Sequence, residues 1–288
     1  MNSHILVCDF DETLISRLEH RDLVVRMDNL DLVDHAVRKV QERNSLHTVW
    51  LHLDAPLSEM DIRELGESSA VSFYLEITGI GDFGKSIDQI RSLRKLNVFV
   101  MLAEEMPGTR RDLKILSSLF VPCGITFGNR RPDWESLGDL LSYSVYTKAP
   151  HAPIQPFHFV ISNYDVQKRI DFAGVYFEDS SRFLHIDTEG SIALSRKELE
   201  RREFISKDLG QLDHIENHPS YHRRLESWRE FFLKPDGCAY CPGWRICLGK
   251  FEESPDKESG CMKLFDEWME AAEYYQEERA KAGAVRRL

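Results

Sequence analysis

Short apolar runs alternate with amphipathic stretches through the first half of the chain. Ile5–Phe10, His47–Leu53, Val71–Ile77, Val98–Leu102 and Gly124–Phe127 are dense in apolar residues and read as buried strands. Between them, Leu30–Arg43, Ser58–Leu65, Lys85–Leu96, Arg110–Phe120 and Trp134–Tyr143 place apolar residues three and four apart, as amphipathic helices do. Repeated strand–helix units predict an α/β fold with a parallel sheet and right-handed crossovers. Five or six such units build either a partial (β/α) barrel or an open doubly wound sheet, and periodicity does not choose between them.

The pattern changes at Thr147–Pro156, where Pro150, Pro153 and Pro156 mark a linker or domain edge. The chain accordingly divides into 1–156 and 157–288. Beyond the prolines, Phe157–Ile161, Val175–Phe177 and Phe183–Asp187 read as strands. Asp187-Thr188-Glu189-Gly190 supplies a turn, and Ser191–Leu194 returns as the second strand of a hairpin. Pro219–Phe232 reads as a polar helix, and Met262–Leu288 as one charged helix. The apolar stripe Leu264, Phe265, Trp268 and Met269 on that last helix reads as packing.

Composition narrows the function classes. The 288 residues carry 37 Lys and Arg against 48 Asp and Glu, a formal charge of −11. Such a balance disfavours nucleic acid, whose backbone demands a positive surface, and suits a basic partner or leader peptide. The start is too short and too uncharged for a secretory signal, and no apolar stretch is long enough for a membrane span. A cytoplasmic protein without membrane contact is expected. In that reducing setting six cysteines are not disulfide partners, so clustered ones point to metal or redox chemistry.

Four of the six do cluster. Cys238-Ala-Tyr-Cys241-Pro-Gly-Trp-Arg-Ile-Cys247 is followed after thirteen residues by Cys261. Four thiolates suffice for a [4Fe–4S] cluster or a tetrahedral zinc. Structural zinc sites usually draw on two close pairs, whereas here only the first pair is close, so one iron–sulfur cluster is preferred over zinc, and both over unligated packing thiols. Gly237, Pro242, Gly243 and Gly249 allow sharp turns around a compact inorganic core. Cys8 and Cys123 lie among apolar residues, far apart in sequence, and read as buried core thiols.

Phe183–Phe251 resembles the SPASM domain of radical S-adenosylmethionine enzymes that modify peptides. The family pattern is Gly-x4-Cys in a hairpin, then Cys-x2-Cys-x5-Cys-x3-Cys, then one more cysteine. The chain matches from Cys238 through Cys247, Cys261 stands in for the final ligand, and Leu209-Gly210-Gln211-Leu212 resembles the connecting segment. The hairpin cysteine is replaced by Ser195, and the cysteine expected after Cys247 by Phe251. Both of those would serve the family's first auxiliary cluster, so the resemblance implies that only the second is kept.

Upstream, the chain resembles the family's partial barrel more loosely. It has no Cys-x3-Cys-x2-Cys loop, and Leu53-Asp54-Ala55-Pro56 keeps only the proline of the cofactor motif Gly-Gly-Glu-Pro. The resemblance therefore implies a degenerate member that does not bind or cleave S-adenosylmethionine and has no catalytic residues. It would accompany a true radical S-adenosylmethionine enzyme or a precursor peptide, as a docking, substrate-binding or electron-relaying subunit. A structural metal-binding interaction module is the first alternative.

A rival signal sits at the first strand. Asp9-Phe10-Asp11-Glu12-Thr13 resembles the Asp-x-Asp-x-Thr element of haloacid-dehalogenase-like, magnesium-dependent phosphatases, with Asp9 as nucleophile and Asp11 as acid/base. Glu178-Asp179 would be its distal acidic pair. That reading lacks a suitably placed lysine and leaves the cysteines without a role. Thr78–Gly84 reads as a plain strand-to-helix turn, and His214, His218 and His222 as surface histidines interrupted by Pro219.

Overall fold

A computed structural model describes residues 4–62, 65, 70–128, 132–227, 229–230, 241–248, 251 and 260–285, with side chains of the last helix through 279. The strands are β1 (Ile5–Asp9), β2 (Asp22–Met27), β3 (Ser45–His52), β4 (Ser72–Ile77), β5 (Asn97–Ala103), β6 (Cys123–Thr126), β7 (Ile154–Gln155), β8 (Phe183–Ile186) and β9 (Ile192–Ala193). Interleaved with them are helices α1 (Glu12–Arg17), α2 (Val33–Gln41), α3 (Phe83–Leu93), α4 (Thr109–Ser118), α5 (Trp134–Tyr146), α6 (Phe157–Asn163) and α7 (Arg196–Glu200). The chain continues through α8 (Pro219–Glu226) and α9 (Trp244–Cys247) to α10 (Gly260–Val285).

Among the described residues, all strands join one sheet in the order β7-β6-β5-β4-β3-β2-β1-β8-β9, parallel throughout except for β9 against β8. From β1 to β7 each strand adds on the same side of its predecessor. Right-handed crossovers of that kind put their helices on one face, the winding of a (β/α) barrel and not of a doubly wound sheet. Strand β8 continues the row on the far side of β1, while β7 and β9 remain the two edges. The sheet is thus a partial (β/α) arrangement.

The helix-covered face is uniformly apolar. The parallel register puts Leu6, Cys8, Val25, Val49, Leu51, Phe73, Leu75, Val100, Leu102, Cys123, Ile125, Leu184 and Ile186 on it, all buried. Leu14 and Ile15 of α1 with Leu18 just after it, Val40 of α2, and Leu212, Ile215 and Tyr221 cover its β1–β2–β8 end. Further along, Cys123 Sγ contacts the Leu113 carbonyl of α4 at 3.5 Å. Burial pushes both thiols up, that of Cys8 to about 12, as expected of core cysteines.

The other face is crossed by the segment that precedes β8. A 3₁₀ helix, Phe172–Tyr176, sends the Tyr176 hydroxyl to the Ile125 carbonyl on β6 at 2.8 Å. The next residue, Phe177, packs its ring against Trp50, Tyr74 and Phe183. This segment corrects the strand expected at Val175–Phe177. A second correction concerns Phe157–Ile161, which is the start of α6. Its buried positions Phe157, Val160 and Ile161 follow helical spacing, and a five-residue apolar run does not by itself reveal the period. Strand β2 was not expected at all.

In place of a continuous helix over Ser58–Leu65 there is a 3₁₀ turn, Leu57–Glu59, ended by extended Met60, with 3₁₀ conformation again at Ile62 and Leu65; part of the remainder lies outside the described residues. The hairpin of β8 and β9 forms as expected. Gly190, at φ +95°, closes its turn by donating to the Asp187 carbonyl at 3.0 Å. Because β8 pairs onto β1, the sheet runs across position 156. Helix α10 packs on α5 and α6 through Leu264, Phe265 and Trp268, so the tail stripe is core. No described helix is long and apolar enough to cross a membrane.

Candidate functional site

The cysteine segment folds back onto the last helix. Cys241 precedes α9, its carbonyl accepting from Trp244 N–H at 3.2 Å, and Cys247 closes the helix by donating to the Gly243 carbonyl at 2.9 Å. A Cβ on Gly243 would stand 2.3 Å from Cβ of Phe265, so this turn lies directly on α10 and needs a residue without a side chain. Cys261 is one helical turn before Phe265 and shares its face. Cys241 is buried; Cys247 and Cys261 are half-buried and pack against the main core. None of these three is in a disulfide.

Two contacting helical segments thus deliver three of the four proposed ligands, and soft thiol donors fit an iron–sulfur cluster or zinc. Cys238 lies outside the described residues. Among the described residues, Cys241, Cys247 and Cys261 included, no three His, Cys, Asp or Glu side chains form a group that could hold a metal ion. The positions where the SPASM resemblance has cysteines do other work. Ser195 caps α7 by accepting from Glu198 N–H at 3.2 Å, and Phe251 packs edge-on against Phe127 and Trp134.

The Asp9/Asp11 pair is also accounted for. Asp11 caps α1, accepting from Leu14 N–H at 2.7 Å. Asp9, at the carboxyl end of β1, takes a bidentate pair of bonds from Arg26 on β2, at 2.6 and 3.1 Å. Ion pair and cap give both carboxylates structural work. Thr78–Gly84 is a strand-to-helix turn in which Asp82 caps α3 and Asp112 accepts from Ile80 N–H at 2.9 Å. His214 and His222 are exposed, and exposed His218 caps α8 ahead of Pro219.

What sequence reading missed is the neighbourhood of that ion pair. Register aligns Asp9, Arg26, Trp50 and Tyr74 across β1–β4 on the face away from the helices, near the strands' carboxyl ends. One pair further, Glu76 accepts a hydrogen bond from His52 Nδ1 at 2.9 Å. Two guanidinium groups lie over the Trp50 indole, Arg26 at 5.7 Å and Arg196 at 5.4 Å from the ring centre. Arg196, at the start of α7, also pairs with Glu200 at 2.8 Å and gives its backbone N–H to the Glu178 carboxylate at 3.3 Å.

His185 on β8 faces the same way. Its Nε2 bonds the Phe177 carbonyl at 3.0 Å; since a carbonyl only accepts, that nitrogen carries the hydrogen. Burial, with Arg26 and Arg196 adding to it, lowers its pKa to about 4, so it is neutral at pH 7. Tyr74 stays a neutral phenol because burial, then Glu76, raises its pKa well above the usual value. Carboxyl ends of parallel strands are where α/β proteins carry ligand-contacting groups, and the only signal in sequence would have been polar residues ending apolar runs.

The chain matches no protein-family model and no curated protein sequence.

Proposed function

We propose that this chain is a non-catalytic accessory protein that holds one [4Fe–4S] cluster through Cys238, Cys241, Cys247 and Cys261 and serves a peptide-modifying radical S-adenosylmethionine enzyme. The observation that supports it is the docking of the Cys241–Cys247 turn on α10 at Phe265, one helical turn after Cys261, so the two cysteine-bearing segments pack against each other. A cluster bound there would supply electron transfer or structural cohesion, and with four protein thiolates it leaves no iron open for substrate. The chain's own part is to join α9 to α10, and Gly243 and Phe265 do this by direct contact.

The non-catalytic part of the reading rests on the remaining cysteines. Cys8 and Cys123 are buried on the helix-covered face, with thiols too basic to ionise at pH 7, and so make poor ligands. Anaerobic purification with iron and sulfide analysis tests the proposal. Brown protein with about four irons per chain, lost in Cys261→Ala, is expected. Stoichiometric zinc would replace this reading with that of a structural zinc module, and metal-free protein would end both.

A further inference from the structure

Two buried polar atoms on the sheet face opposite the helices have no hydrogen-bond partner among the described residues: Trp50 Nε1 and the Tyr74 hydroxyl. Their residues are 3% and 5% exposed, and the rings touch, with centroids 5.4 Å apart. Buried donors left unpaired are rare in native proteins and call for an explanation. The indole N–H can only donate, and a phenol held neutral is ready to donate. The nearby acids are already engaged: Asp9 by Arg26, Glu76 by His52, Glu178 by the Arg196 backbone N–H, Glu200 by the Arg196 side chain. What the cluster lacks is an acceptor.

We propose that this face binds a small oxyanion, a carboxylate or phosphate, between Arg26 and Arg196, with the Trp50 N–H and the Tyr74 hydroxyl donating to the ligand. Arginine suits the role because its planar fork matches the geometry of both groups. Phe177 rests on both aromatic rings and closes the approach, 5.6 Å from Trp50 and 5.1 Å from Tyr74. It holds a left-handed backbone, φ +59°, that a bulky side chain adopts only at a cost. A shift of Phe177 exposes the two donors and relieves that conformation. The site is independent of the cysteine segment.

Thermal unfolding of the full chain with succinate, citrate or inorganic phosphate, against chloride at matched ionic strength, tests the proposal. A saturable rise in Tm beyond the chloride control is expected from at least one of these anions, and the responding one identifies the source. Tyr74→Phe removes an unpaired hydroxyl, so the unliganded protein should unfold at the same or a higher temperature while affinity falls about tenfold. Arg196→Gln should weaken binding at least as much and keeps the backbone N–H. A response lost in either variant ties the anion to this face. No rise beyond chloride, or a rise that persists in both variants, overturns the site.

Discussion

Phe73 and Tyr74 are neighbours on β4 and point to opposite sides of one sheet. Phe73 is wholly buried under helices, level with Val49 and Val98 on the neighbouring strands. Tyr74 is nearly as buried, yet its surroundings include two arginines, two glutamates and a neutral histidine. The same strands therefore carry two kinds of interior. One face gathers transfer free energy from every side chain on it. The other pairs charges, leaves donors unmatched and holds a phenylalanine in left-handed backbone, costs that a purely structural face would not carry.

The comparison breaks most clearly under truncation of the apolar side. Phe73→Ala should cost about 3–5 kcal/mol, since the packed helices cannot fully close the cavity. Urea unfolding would read it, and a loss under 1 kcal/mol would mean the helix-covered face is not the main core.

Acid is the next largest lever. His185 titrates near 4 when folded and near 6.5 when unfolded, so the unfolded chain binds the extra proton between those values. Its contribution is intact above pH 6.5 and is lost as pH falls toward 4, by about 3 kcal/mol. Urea titrations at pH 7.5 and 4.5, with and without His185→Gln, check this; an equal fall in both proteins would locate the acid sensitivity elsewhere.

Smaller effects sharpen the contrast. Asp9→Asn breaks a bidentate pair in which Asp9 is half exposed, and about 1 kcal/mol of loss is expected. Tyr74→Phe should leave stability unchanged or improve it by up to about 1 kcal/mol, because the hydroxyl it deletes has no partner. The opposite signs at positions 73 and 74 are the sharpest test: a clear loss for Tyr74→Phe would show that its hydroxyl is bonded in solution.

Legibility followed the same division. Runs such as Ile5–Phe10 and Val98–Leu102 announced their strands because both faces of those segments are buried. By contrast β2, Asp22–Met27, escaped notice, since Asp22 and Arg26 interrupt its short apolar stretch; the arginine stands there for the polar face. Asp9 stands out in sequence through its Asp-x-Asp-x-Thr element, whereas Arg26, Trp50, Tyr74 and His185 carry no such motif. They lie on four different strands with no common spacing.

Local pattern alone determined a parallel α/β fold, the β8–β9 hairpin, the buried state of Cys8 and Cys123, and the packing role of the α10 stripe. These follow from periodicity and turn chemistry, which act over a few residues. Tertiary structure decided that β8 lies beside β1, that 172–177 crosses the sheet, and that the Cys241–Cys247 turn meets α10 at Phe265. It also decided which side chains share the carboxyl-end face, because register across a parallel sheet joins residues that only the completed winding brings level.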